Sequence, residues 1–387
     1  MSTSLKILLI YDCVYPDSLG GVEHRNYRLA KALADRGHHV TLAGWMELGL
    51  APLPGITLLP MVWRTPLYGP DGKRTIWISL KFALATLTLD LRDYDIVETA
   101  NIPNAHLFPL ALRCWLLKKP FIITWHEYFG TYWQQYKGWF PALFLGVTEW
   151  LCAQLGTCVS AVSTLTADRL QKYRRRSDEI RLIPNGVNTE QIQQAAANPD
   201  PAATPLLYAG RLVPEKRVDL LLRAIGLMSW SKPEPLLTIV GDGPARPQLE
   251  NLTQQLGLSN KVKFVGRLPF SNQMWRLLAG ARIAAQPSAR EGFGMFPLEA
   301  MALGIPVVYC SSPDNAIGTI VRDGQEGICT EASPEALAKG LENLLQTDDL
   351  WLQLSNNAKS RAIFYDWSTV AKDIERLCHD AIAATHS

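Results

Sequence analysis

The feature that most restricts the fold is an alternation carried through both halves of the chain. Short, continuously apolar runs rich in β-branched residues are each followed by longer stretches with apolar residues at helical spacing. Residues 6–11 read as a buried strand, followed by a loop holding Gly20 and Gly21. Residues 23–36 then set Tyr27, Ala30, Leu33 and Ala34 on one helical face, Gly37 stops the helix, and a second strand begins at 39–43. Further strands are predicted at 96–98, 121–124 and 157–162, then at 205–208, 236–240, 261–265, 283–286 and 306–309. Helical stretches such as 218–227, 245–256, 270–278 and 334–346 separate the later ones. Apolar strands without polar alternation, joined by helices, imply parallel sheets covered on both faces. Two such halves predict an α/β chain of two doubly wound, Rossmann-like domains facing a cleft, with ligands beyond the carboxyl ends of the strands.

At 387 residues the chain has room for two or three domains. Residues 1–190 hold 20 Lys and Arg against 16 Asp and Glu, and residues 191–387 hold 18 against 20. The formal net charge of +2 argues against a strongly basic nucleic-acid binder and an acidic tail protein. With 48% hydrophobic and 19% charged residues, the composition forms cores. The domains predicted are 1–187, a linker at 188–204 that includes Pro199 and Pro201 and runs up to Pro205, 205–364, and a C-terminal helix at 365–387. Seven cysteines without a C-x-x-C pair argue against a disulfide framework or zinc ribbon and for a reducing compartment. The apolar run at 7–10 is too short for a leader core and meets Asp12 at once. No apolar stretch reaches the ~18–20 residues of a membrane span; residues 140–155 come nearest, and Glu149 and Gln154 interrupt them. The expectation is a cytoplasmic protein, either free or held peripherally on the inner face of the plasma membrane.

Three loops carry chemistry. After the strand at 283–286 comes Arg290-Glu291-Gly292-Phe293-Gly294-Met295-Phe296-Pro297-Leu298-Glu299. Its glycines let backbone approach a ligand, Pro297 suits a first helical turn, and amides at such a helix start suit a diphosphate. Glu291 and Glu299, one on the loop and one on the helix, can accept hydrogen bonds from sugar and ribose hydroxyls. Taken alone, the segment is equally a glycine-rich turn with solvated carboxylates. The second loop, Gly210-Arg211 through Glu215-Lys216, follows the strand at 205–208 and sets two cations where they can clamp a diphosphate. Alone, it is also an ordinary charged strand-to-helix loop. The third, Gly20-Gly21 with Glu23, is a weak anion-approach loop. Neither G-x-G-x-x-G after the first strand nor G-x-x-x-x-G-K-[ST] occurs, which disfavours a dinucleotide fingerprint and a P-loop.

In order along the chain these segments, with Trp125-His126-Glu127, residues 159–163, 183–187 and 241–244, and Gly304-x-Pro306-Val307-Val308, resemble a family-four retaining glycosyltransferase of the GT-B architecture. The resemblance runs from about residue 5 to about residue 370. It implies that Glu299 holds the ribose of a nucleotide sugar and that Glu291 binds hydroxyls of the donor sugar. It also implies that Arg211 and Lys216 bind and stabilise the departing diphosphate. Backbone at Phe293 and Gly294 would face the sugar and phosphates, Gly20, Gly21 and Gly210 would approach the diphosphate, and residues 266–268 would meet the base. His126 would lie near the reacting centre, although a lone histidine after a strand is as readily structural. The family more often has proline where this chain has Phe296, with Pro297 following. The last stretch, with Trp367, Val370, Ile374 and Leu377 at helical spacing, resembles the family's helix that returns to the first domain.

The implied reaction is metal-independent transfer, with no cofactor besides the nucleoside-diphosphate sugar donor, to a glycan, polysaccharide or lipid-linked acceptor in a cell-envelope pathway. No metal site is expected: Asp93-Tyr94-Asp95 spells D-x-D but precedes a strand at its amino end and reads as a surface turn. The competing readings are a nucleotide-sugar epimerase of the same architecture and a non-catalytic sugar-nucleotide binder. The aromatics between Tyr128 and Trp150, with Lys172, Arg174, Arg175 and Arg176, suit either a packed helix pair or a lipid surface.

Overall fold

A computed structural model describes residues 4–16, 20–46, 53–61, 76–175, 179–230, 235–268 and 272–386. The expected helix start at Phe270, the basic Arg176 and the first three residues of the chain lie outside the described residues. The chain divides into two compact units, Met1–Gly186 with Trp367–Ser387, and Val187–Asp366.

In the first unit the strands are β1 Lys6–Ile10, β2 His39–Gly44, β3 Ile56–Pro60, β4 Ile96–Ala100, β5 Phe121–Trp125, β6 Cys158–Ala161 and β7 Arg181–Leu182. The sheet order is β3-β2-β1-β4-β5-β6-β7, with every pairing parallel. The helices are α1 Gly21–Ala34, α2 Ile76–Thr86, α3 Leu107–Leu116, α4 Tyr132–Lys137, α5 Trp139–Cys152 and α6 Thr164–Tyr173. Strand alternation splits the core between the two faces. Leu8 and Ile10 meet Phe82, Leu107, Leu110 and Leu170, whereas Ile7 and Leu9 meet Leu29, Leu33, Ile374 and Leu377.

The second of these faces needs the C-terminal helix Trp367–His386, whose Trp367, Val370, Ile374 and Leu377 are all buried there. A polar clasp supports that apolar contact. His38 Nδ1 accepts the Leu5 N–H at 3.1 Å, so its Nε2 carries the proton and donates to Glu375 Oε1 at 3.3 Å. Arg36 grips the other carboxylate oxygen, with Nε at 3.1 Å.

In the second unit the main sheet runs β10-β9-β8-β11-β13-β15, again parallel throughout. Its strands are β8 Leu206–Ala209, β9 Leu237–Val240, β10 Val262–Gly266, β11 Ile283–Gln286, β13 Val307–Cys310 and β15 Gly327–Thr330, while β12 Arg290–Glu291 pairs with β14 Asp314–Asn315. The helices are α7 Thr189–Ala196, α8 Val218–Leu227, α9 Arg246–Gln255, α10 Asn272–Ala279, α11 Met295–Leu303, α12 Ile317–Ile320, α13 Pro334–Gln346 and α14 Asp348–Ala362.

The stretch 188–204, expected as an irregular joint, is instead built into this unit. Asn188 caps α7 by accepting the Gln191 N–H at 2.8 Å, and Ile192 is buried. The prolines follow the helix, where Asp200 N–H reaches Arg276 O at 3.0 Å. Val187, placed above in the first domain, donates to Tyr365 O at 2.8 Å and groups with the second unit. Proline density marked the end of a helix here, and the helix itself was hidden in an alanine- and glutamine-rich segment of low contrast.

Replacing Glu375 by alanine leaves Arg36 and the buried His38 N–H without their acceptor. The expected cost is about 2 kcal/mol of stability in chemical denaturation. Amide exchange in the C-terminal helix should rise ahead of exchange in the β1–β4–β5 core.

Candidate functional site

The second unit gathers its polar groups where the strands end. β8 and β11 are hydrogen-bonded neighbours, with Leu206 opposite Ile283. Their following loops therefore emerge side by side. The loop after β8 turns at Gly210, makes a 3-10 turn at Pro214–Lys216 and enters α8 through Arg217 in the left-handed conformation, φ 51°. The loop after β11 runs from Gln286 through Glu291 to Gly294, which caps α11 at φ 106°. Backbone joins the two loops directly, since Ala289 N–H donates to Glu215 O at 2.9 Å.

On this frame Lys216 Nζ lies 2.6 Å from Glu291 Oε1. The same oxygen also accepts from Gln286 Nε2 and from Ser288 Oγ, each at 2.9 Å. Three donors thus fall on one carboxylate oxygen, and none falls on Oε2 among the described residues. The main chain of Glu291 is equally fixed. β12 pairs with β14, Ala316 N–H donates to Glu291 O at 2.9 Å, and Asn315 Nδ2 donates to Ser288 O at 2.9 Å. Lys216 further approaches Arg290 O at 3.4 Å, which leaves its third N–H for a ligand. The Tyr208 hydroxyl is pushed well up by burial first and the Glu291 charge second, so it stays protonated.

Glu299 sits on α11, buried from Phe296 to Leu303, and accepts from Trp275 Nε1 of α10 at 3.3 Å. Phe293 is buried, edge-on to Tyr365 with ring centres 6.2 Å apart. The N–H groups of Phe293 and Gly294 meet no acceptor among the described residues. Arg211 is exposed on the loop after β8. Gly210 donates to Val240 O at 3.0 Å, and Gly241 donates to Gly266 O at 2.8 Å. Gly241 itself has φ 141°, and a Cβ there would collide with the Gly210 carbonyl. This third strand-end loop comes so close to the first that only glycine fits.

The remaining predicted residues belong to the first unit. Gly20 is the N-cap of α1 and Gly21 its first residue. A Cβ at Gly20 would strike the Glu23 carboxylate, whereas Gly21 has open space. His126 follows β5, where Asn101 locks its loop: Oδ1 takes the His126 N–H at 3.0 Å and Nδ2 donates to Glu127 O at 3.1 Å. Burial first, and the Arg25 charge second, hold the His126 imidazole well below the usual histidine range, so it is neutral. Its Nε2 is buried and meets no hydrogen-bond partner among the described residues. The D-x-D stretch precedes β4 as expected, and its Asp95 carboxylate accepts the Lys6 N–H at 2.8 Å. Among the described residues no group of three His, Cys, Asp or Glu side chains is placed to hold a metal ion.

The aromatic and basic cluster divides. Tyr128 is buried and stacks on Trp125 and Tyr173, and Phe129, Trp133 and Tyr136 pack on one another. Glu149 turns inward to take the N–H groups of Phe129, Gly130 and the Trp133 indole at 2.8, 2.8 and 3.0 Å. Arg174 is buried on Ala153 O and Leu155 O, and Arg175 lies over the Trp150 ring. Tyr128, Glu149 and Arg174 are therefore structural, whereas Lys172, Arg175 and the outer side of α5 face solvent.

Sequence reasoning did not single out Gln286, Ser288, Asn315, Trp275 or Asn101. Each is a neutral polar or aromatic residue whose role appears only in the folded geometry: Gln286 and Ser288 turn back to the nearby Glu291, while Asn315, Trp275 and Asn101 meet partners 24 to 27 positions away.

A family model described as Glycosyltransferase Family 4 matches residues 19–191, and one described as Glycosyl transferases group 1 matches residues 189–361. A glycogen synthase of Mycobacterium tuberculosis is 24% identical over 391 aligned positions, covering 95% of this chain and 92% of its own. A phosphatidyl-myo-inositol mannosyltransferase of the same species is 29% identical, covering 94% of both. Among solved structures, a sucrose-phosphate synthase from Thermosynechococcus elongatus superposes with a TM-score of 0.77 at 21% identity, over 98% of this chain and 100% of that one. HepE of Anabaena in complex with UDP-glucose gives 0.73 at 21% identity, over 97% and 100%.

Two outcomes follow from this geometry. Burial and the neighbouring Arg28 lower the His24 pKa from 6.5 to about 4, and Arg28 Nε donates to His24 Nε2 at 3.2 Å. A depressed histidine stabilises the fold above pH 6.5 and loses that contribution as pH falls toward 4. For His24 the loss is roughly 3 kcal/mol, and His126 adds to it in the same direction. The thermal midpoint should therefore fall across that window, and His24→Gln should flatten the fall. Gly241→Ala should destabilise the second unit by about 3 kcal/mol or more, through collision and a disfavoured φ. Denaturant melts would show it.

Proposed function

The chain belongs to the glycosyltransferases of family-four type on the GT-B fold; from that premise we propose that it transfers a sugar, with retention and without a metal ion, from a nucleoside-diphosphate sugar to an acceptor hydroxyl. The acceptor class is a glycan, a polysaccharide or a lipid-linked sugar of a cell-envelope pathway. The relatives' names span a glycogen synthase and a phosphatidyl-inositol mannosyltransferase, and one structural neighbour holds UDP-glucose.

The single observation that carries the reading is the Glu291 carboxylate. Lys216, Gln286 and Ser288 fix it through Oε1, so Oε2 is preorganised to accept hydroxyls of the donor sugar. Glu299 would take the ribose hydroxyls, with Trp275 orienting its carboxylate. Arg211 and Lys216 would meet the diphosphate, backbone N–H groups at Phe293 and Gly294 would donate to it, and Gly210 would let it approach. In the step proposed, the bond between the anomeric carbon and the diphosphate oxygen breaks and its electron pair stays on the diphosphate. The acceptor oxygen forms the new bond, and its proton passes to the departing diphosphate. The two cations oppose the charge that develops there. Gly20 and Gly21 would face the diphosphate as well, and the neutral His126 would lie near the reacting centre. A nucleotide-sugar epimerase has no observation in its favour.

Lys216→Ala and Glu291→Ala should each lower turnover by about 10²–10³-fold while the melting profile stays cooperative. A nucleoside-diphosphate sugar should raise the thermal midpoint of the wild type and not of Glu299→Ala. Near-normal turnover in either of the first two variants overturns these roles.

A further inference from the structure

Helices α2, α3 and α5 cover one face of the first unit's sheet, and their inner sides are accounted for by a single core containing Phe82, Leu110 and Cys152. A surface helix of a water-soluble fold normally turns polar residues outward. These three do not. Trp77 and Leu84 on α2, Trp115 on α3, and Trp139, Phe140 and Phe144 on α5 are all exposed, Phe140 to 89% and Trp115 to 75%. The three helices are neighbours, because the short 3-10 turn Asn104–His106 packs against all of them and Arg113 of α3 donates to Thr86 O at the end of α2. Large exposed apolar patches mark interaction sites.

The charges on these helices say what kind of surface it meets. α2 carries only Lys81, α3 only Arg113, and α5 only Glu149, which is buried and turned inward. The exposed Lys118 follows α3 and Lys137 precedes α5, while Lys119 is spent on Arg92 O and Tyr94 O. The nearest carboxylate beyond α2, Asp90, pairs with Arg92 at 3.0 Å. The face is therefore apolar with a basic margin and no outward acid on its helices. Among the described residues no helix is long and apolar enough to cross a membrane. With 14 residues, α5 spans ~21 Å against the ~30 Å of a hydrocarbon core, so it lies in the interface plane. Tryptophan at three separate points of the patch suits the headgroup boundary.

We propose that the outer faces of α2, α3 and α5 form a docking surface for a bilayer containing anionic lipid, and that the sugar acceptor is a lipid-borne molecule. The second half rests on the glycosyl-transfer reading above.

The test is flotation of the full chain with vesicles of phosphatidylglycerol mixed with phosphatidylcholine, against phosphatidylcholine alone. The protein should float with the mixed vesicles, and Phe140→Asp/Phe144→Asp should lose at least tenfold in partitioning while keeping its melting midpoint. Charge reversal at Lys118 or Lys137 should cost about fivefold each, and only on anionic vesicles. Absence of flotation overturns the proposal, and equal flotation on both vesicle types overturns its anionic part. If the double variant instead turns an oligomer into a monomer without changing flotation, the face joins copies of the chain and the proposal fails. Donor-induced thermal stabilisation is measured separately on the same samples. Its loss with flotation retained would fault the transfer reading alone, and its presence without flotation would fault the docking alone.

Discussion

Because β8 and β11 are adjacent and parallel, two loops that are 75 positions apart leave the sheet together. The 3-10 turn that carries Lys216 and the β12 segment that carries Glu291 then join through the Ala289–Glu215 backbone bond. Without that adjacency Lys216 would have no carboxylate within reach, and Glu291 would lose its one charged donor. The ion pair is partly buried, so its worth lies less in net stability than in fixing geometry. A lysine facing a carboxylate that is already held by two neutral donors remains able to turn its third N–H to an arriving anion. The carboxylate stays oriented as it does so.

The glycines play the complementary part. Three strand-end loops converge on the second unit's sheet, and the Gly210 carbonyl lies where a side chain at Gly241 would stand. Gly243 is likewise pressed on the Leu212 carbonyl. Close backbone packing brings N–H groups and side chains of separate loops within reach of one small ligand. It also makes the site depend on three residues whose only contribution is what they lack.

The alternation of apolar runs with amphipathic stretches made most of this architecture legible, because a doubly covered parallel strand has no polar face to hide. β1, β11, α8 and α13 emerge almost at their predicted bounds. The elements that escaped notice have weak contrast. α2 is apolar all round, so no amphipathic period announces it, and β3 is a short sheet edge. The charged site residues were visible because cations and paired carboxylates at strand ends imply a ligand. Gln286, Ser288 and Trp275 were not, since their meaning depends on which carboxylate they point at. The basic run after Lys172 divides: Arg174 is spent on two carbonyls of the loop after α5, whereas Lys172 and Arg175 stay exposed.

The first unit holds a different kind of polar interior. Arg25 of α1 and Glu98 of β4 are both nearly inaccessible, 3.5 Å apart, with Glu98 Oε1 also accepting from Thr124 Oγ1 at 2.8 Å. Burying such a pair gives little net stability, and here it leaves Arg25 Nε and Nη2 and Glu98 Oε2 without partners among the described residues. The cost falls on folding, whereas the effect is felt at His126, whose imidazole the Arg25 charge helps to keep neutral. A neutral ring with an unoccupied Nε2 can accept a hydrogen bond from a hydroxyl, and an imidazolium cannot. Burial therefore sets the chemical character of this residue on a neighbouring strand end, and the Arg25 charge reinforces it.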